Sequence, residues 1–254
     1  MSFRNTNFSI NRLGGFGDGS NAGQGIYEES STPKANIGEK MELSGGRIFR
    51  YGYTAAAIDR GLLVSQDISA TCIVESDGKL TAASANATEV TYTDSGTVGS
   101  ATANQYAGAL LHITDDAGEG HQYLIKSNTA ADSNAITFTL FDGLAVAVTT
   151  ATDVAVTGSP WYNILGATAG TDFIVAGVSP ISFTSNYYGW FQTAGIATIL
   201  SDTAIAIGDN LTLSDGVTGA VQLKDAETEP LVGYACFAPD DSGHVGVVLQ
   251  GLIA

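Results

Sequence analysis

The feature that most restricts the fold is a period of two. In "GRIFRYGYTAAAID" Ile48, Arg50 and Gly52 alternate with Phe49, Tyr51 and Tyr53, and in "AITFTLFDGLAVAV" Ile136, Phe138 and Leu140 alternate with Thr137 and Thr139. Successive side chains of a strand point to opposite faces, so this spacing reads as half-buried β-structure. Leu110, Leu111 and Ile113, a turn at Asp115 to Gly120, then Tyr123, Leu124 and Ile125 read as a hairpin. Another turn is expected at Ser76-Asp77-Gly78. The C-terminal runs "NLTLS", "GAVQL", "LVGYACFA" and "HVGVVLQGLI" recur at roughly 8–12-residue intervals with Gly, Asp or Pro between them, the spacing of a small barrel or sandwich. One helical turn is expected over "DGLAVAV", residues 142 to 148.

Composition points the same way. Only 14% of the 254 residues are charged, 31 are glycine, and small or β-branched residues fill much of the rest. Strands joined by tight turns use such residues, so the fold class is all-β. The expected architecture is a small β-barrel or sandwich body of residues 46–70 plus 175–254, an inserted β-domain over 71–174, and an extended N-terminal arm over 1–45. The arm shows neither period, and its apolar residues are isolated, so by itself it cannot offset its ordering entropy. Scattered anchors on a glycine-rich backbone suit a segment that orders along a partner. Phe3, Arg4, Phe8, Ile10, Arg12, Leu13 and Phe16 are the expected contacts.

Charge is uneven. The net charge is −16, yet residues 1 to 60 carry +1 and the remainder −17. A body this acidic repels phosphate chains, so direct nucleic-acid binding is not expected. No apolar run reaches the ~20 residues of a membrane helix, and no export signal or membrane contact is expected.

Constellations that could carry chemistry have simpler readings. "GGFGDG" at 14 to 19 neither follows a strand nor opens a helix, which a phosphate loop requires. "DDAGEGH" at 115 to 121 lacks EF-hand spacing and reads as a solvated turn, with a weak cation site as the alternative. His112 and His121 are expected to face each other across the hairpin, and acids at 240–241 could approach His244. Neither zinc-protease spacing nor a nucleophile elbow is present. Catalytic residues, metal ligands and cofactors are therefore all expected to be none. Cys72 and Cys236 read as free thiols, with a bridge left open. The run "YYGWFQ" puts Tyr188, Trp190 and Gln192 on one face and Tyr187, Gly189 and Phe191 on the other, so that strand is expected in a core or subunit interface.

Several stretches carry a family resemblance. "GWFQTAGIATIL", "IGDNLTLSDGVTGAVQL", "PLVGYACF" and "VGVVLQGLI" resemble the C-terminal portion of bacteriophage virion proteins of the head-decoration (capsid cement) type. The residues that carry it include Gly189, Trp190, Gln192, Thr193, Gly195 and Ala197, then Gly208 and Asp209, Gly219 to Val221, Val232, Gly233 and Ala235, and Val247 and Leu249. "ANQYAGALLHITDDAGEGHQYLIKSN" and "PWYNIL" are similar to the middle of larger members, so the resemblance spans about 46 to 254. It implies a β-rich body, a homo-oligomer with a trimer favoured, no catalytic residues, the major capsid protein as partner, and a place on the outer capsid surface of the virion. Removal of residues 1 to 45 is then expected to leave a folded oligomer unable to bind capsids. The alternative is a tail or fibre protein binding host-surface glycans, which an exposed aromatic cluster beside carboxylates would indicate.

Overall fold

The computed structural model describes residues 23–66, 73, 79–93, 101–168, 175–238 and 243–250. The all-β class stands: sixteen strands and their turns account for the secondary structure, with no helix among the described residues. The chain divides into two compact units, residues 1–66 with 163–254, and residues 67–162.

In the first unit, β2 (Arg47–Thr54), β10 (Tyr162–Gly166), β3 (Leu63–Gln66), β11 (Val175–Val178) and β12 (Tyr188–Leu200) form a ring that closes where β12 returns to β2. β1 (Lys40–Leu43) pairs with the remaining edge of β2. The second half of β12 continues into β16 (His244–Leu249), β15 (Gly233–Phe237), β13 (Asn210–Leu213) and β14 (Val221–Leu223), and a parallel bridge from Ser201 to Val221 brings β14 back to the end of β12. Leu63, Ile199, Leu211, Val221, Val245 and Val247 fill this second core. The return crossing into the first unit falls at 162/163, not at 174/175. The reason is that Ile164, Leu165 and Gly166 pair with Gln66, Ser65 and Val64, which makes β10 part of the large sheet.

In the second unit β4 (Lys79–Leu80), β5 (Glu89–Thr93), β8 (Ala135–Leu140), β7 (Gln122–Asn128), β6 (Leu110–Asp115) and β9 (Asp153–Thr157) close a barrel. Strict alternation along β8 puts Ile136, Phe138 and Leu140 inside, against Tyr92, Leu111 and Ile125. Lys79 and Asp153, partners in the register that closes the barrel, are also an ion pair. The helical turn expected over 142–148 is absent. Leu144 and Val148 donate to Ala87 and Ala83, and a Cβ on Gly143 would come within 2.7 Å of the Asn86 carbonyl oxygen. That close backbone approach selects an extended path over a helical one.

Neighbouring residues of β12 are buried on both faces. Trp190 lies under the N-terminal segment, while Phe191 stacks on Phe183 at 4.7 Å between ring centroids. Gly189 is required by that stack, because a Cβ there would overlap the Phe183 ring. Gly189→Ala is accordingly expected to destabilise the first unit by about 1–3 kcal/mol, read from urea unfolding, and Phe183→Leu in the same chain should restore part of the loss. A Gly189→Ala variant that unfolds at the wild-type midpoint would show that the ring contact does not constrain this strand.

Candidate functional site

Antiparallel register sets Tyr51 opposite Trp190 and Tyr53 opposite Tyr188. Tyr51 meets Trp190 edge-on at 5.0 Å, and Tyr188 packs against both tyrosines. Residues 24 to 43 cover this cluster. The Tyr51 hydroxyl donates to Gln24 Oε1 at 2.6 Å and accepts the Lys34 amide at 2.9 Å. Trp190 Nε1 donates to the Gln24 carbonyl at 3.0 Å, and Gln24 Nε2 donates to the carbonyls of Tyr188 and Glu28. Ser30 exchanges backbone bonds with Tyr188, and Glu29 accepts from the amide and hydroxyl of Thr184. Met41 and Leu43 of β1 complete the packing.

An arm reaching residue 45 is therefore corrected: residues 24 to 43 are part of the body. The Tyr51 hydroxyl and Trp190 Nε1, which burial would otherwise leave stranded, are satisfied by this segment, which is why it docks despite its low apolar density. Phe3, Arg4, Phe8, Ile10, Arg12, Leu13 and Phe16 lie outside the described residues. Trp190 is 2% exposed and closed over by Gln24, so it presents no face to a sugar. Tyr188 is half-buried. Gln192 is buried, and its side-chain amide donates to the carbonyls of Ala194 and Ile196.

The turn at 115 to 121 is internally bonded. Asp116 takes a positive φ of 64°, and its carboxylate accepts from the hydroxyls of Thr149 (2.6 Å) and Thr152 (3.2 Å), contacts that hold it below the usual carboxylate range. His112 is paired with Gln122 and bonds Thr157, whereas His121 bonds the Tyr123 hydroxyl, so the two histidines do not face each other. No group of three His, Cys, Asp or Glu suited to a metal occurs among the described residues. Cys236 is an exposed free thiol; Cys72 and the acids at 240–241 lie outside the described residues.

Two features on the first unit remain available to a partner. The outward positions of β12, β16 and β15 bring Ile196, Val248 and Tyr234 into one row, with Ile196 59% exposed. Phe237, 58% exposed, lies over Gly246 of the same sheet. Beside Ile196 opens a cavity of about 400 Å³ lined by Arg47, Arg60, His244, Gln192, Val178 and Tyr27, among others. Nothing in the sequence marked this cavity, since its residues come from the segment before β1, β2, the β2–β3 turn, β11 and the turn after it, β12 and β16. Comparison with protein-family models, curated proteins and solved structures returns no match.

Burial pushes the Tyr51 hydroxyl up from its ordinary value of 10.0 to about 12, and also raises Tyr53 and Tyr188. Between pH 10 and about 12 the folded chain retains a proton that the unfolded chain has released, so stability is complete below pH 10 and falls through that window. Tyr51→Phe removes two bonds to the covering segment and should cost about 1–3 kcal/mol at neutral pH. It should also flatten the alkaline loss, a combination that urea titrations at pH 7 and pH 11 can measure. An unchanged alkaline slope in Tyr51→Phe would place the titration elsewhere.

Proposed function

We propose that this chain is a phage capsid-decoration protein, which binds the outer surface of the head, bridges capsid subunits and assembles as a trimer. The observation that carries the reading is the unpartnered apolar row of Ile196, Val248, Tyr234 and Phe237. It lies on the strands whose sequence resembles decoration proteins. Contiguous apolar surface on an acidic, soluble-type exterior marks a contact with another macromolecule. A net charge of −17 beyond residue 60 disfavours packaged DNA as that macromolecule and suits the outer side of a shell. The acidic body would gain little from a second acidic surface at long range, so attachment falls to short-range apolar contacts and to residues 1–22. Their near-neutral charge and spaced Phe, Ile and Leu anchors fit a segment that orders on a partner. The major capsid protein is the proposed partner, and neither cofactor nor nucleic acid takes part.

Two truncations separate attachment from folding. A chain beginning at Gly23 keeps every bond to Gln24 and should remain folded, with a sedimenting mass three times that of the shortened chain. Added to undecorated heads, it should show little occupancy by sedimentation, while the full chain saturates them. A chain beginning at Gly46 loses β1 and Gln24, and it should unfold at markedly lower urea. Full occupancy by the Gly23 chain would move attachment to the body. Failure of the full chain to bind heads, together with binding to host-cell glycans, would sink the decoration reading in favour of a fibre.

A further inference from the structure

The cavity beside Ile196 concentrates the scarce charge of this chain. Of ten basic residues in all, Arg47 and Arg60 line it together with His244, and none of its lining residues is acidic. Neither arginine is in an ion pair with a described residue; Arg47 Nε donates to the Ser44 carbonyl at 3.5 Å and its guanidinium lies 6.0 Å from the centroid of the Phe49 ring. Their backbones are fixed. Ser179 bonds the Asp59 carbonyl and the Leu62 amide, and Ser182 accepts the Arg60 amide, so the turn that bears Arg60 is pinned on both sides. Gly61, at a φ of +73°, leaves room for the His244 ring, which would come within 2.7 Å of any Cβ there. Gly195 likewise admits Arg47.

We propose that this groove binds a carboxylate carried on an apolar segment of a partner protein. The acidic side chain seats against Arg47 and Arg60, and its apolar neighbours lie along Ile196 and Val248. Arginine forks match carboxylate geometry and form charge-assisted bonds with it. Polyanions are disfavoured because the whole chain carries −16, and each further phosphate adds repulsion beyond the reach of two arginines. A small free anion would leave the apolar wall of Val178, Pro180 and Ile196 uncovered. A single carboxylate in an apolar setting uses both. This assignment rests on the groove's own chemistry and is independent of where in a virion the protein stands.

The test uses the full chain and a capped heptapeptide with one central glutamate flanked by valine and threonine, followed by amide chemical shifts. Binding is expected to shift Arg60, Gly61, Ile196, Thr198 and His244. The same peptide with glutamine in place of glutamate should bind about tenfold more weakly or worse. Arg60→Gln and Arg47→Gln should each cause a comparable loss, with wild-type melting. Lys126→Gln, which removes an exposed charge in the other unit, should change nothing. Equal binding of the two peptides, shifts confined to other surfaces, or no binding at millimolar peptide would overturn the proposal. Displacement of the peptide by an equal concentration of inorganic phosphate would also overturn it, in favour of a free-anion site.

Discussion

The first unit depends on one strand changing partners. β12 pairs with β2 from Tyr188 to Ala194 and with β16 from Gly195 to Leu200. A strand that leaves one ladder for another strands backbone groups at the switch, and buried groups of that kind must be satisfied. Gln192 does this from inside the strand, donating its side-chain amide to the carbonyls of Ala194 and Ile196. Gly195 completes the change of direction at a φ of +84°, where a Cβ would lie 2.9 Å from the Gly46 carbonyl oxygen and 3.0 Å from the Arg47 Cα. Only glycine accommodates both the dihedral and the approach. Upstream of the switch lies the cluster of Phe49, Tyr51 and Trp190; downstream lies the core of Ile199, Val245 and Val247.

The same switch creates the surface features. Where β2 begins at Arg47, the facing stretch of β12 has already turned toward β16, and the cavity opens between them. Its wall therefore draws on Arg47 at the start of β2, on Gln192 to Thr198 across the switch in β12, and on His244 at the far end of the β12–β16 ladder. Exposure of Ile196 follows from register: Ala197 and Ile199 face the core, which leaves Ile196 and Thr198 outside. The apolar row and the basic groove are thus both products of how β12 is shared.

What the sequence made legible was whatever depends on local periodicity. The alternations at Ile48 to Tyr53 and at Ile136 to Leu140 correspond to strands β2 and β8, and the hairpin turn at Asp115 to Gly120 joins β6 to β7. The segment from Gln24 to Leu43 was not legible, because its order comes from hydrogen bonds to Tyr51, Tyr188 and Trp190, far away in sequence. Low apolar density says that the segment lacks the surface to fold alone, yet it does not say whether a ready surface awaits it within the same chain. Sequence alone places Tyr162 to Gly166 in the insertion for a similar reason: its partner strand Leu63–Gln66 lies a whole barrel earlier in the chain. The cavity was invisible because six separated segments supply its lining.

Charge and apolar contact act over different distances, and that difference orders the events of any association. At physiological salt the field of exposed charges decays over about 8 Å, so an acidic chain meets another acidic surface as a repulsive body until they nearly touch. Added salt weakens that repulsion and should help like-charged copies approach. The Arg47–Arg60 groove answers oppositely, because a carboxylate held there is itself attracted by charge that salt screens. Burial of Ile196, Val248, Tyr234 and Phe237 carries little electrostatic dependence of its own and is strengthened by excluded salts such as sulfate. The sign of the salt effect on a given association therefore reports which part of this face makes the contact: rising for an acidic surface met through the apolar row, falling for an acidic segment seated in the groove.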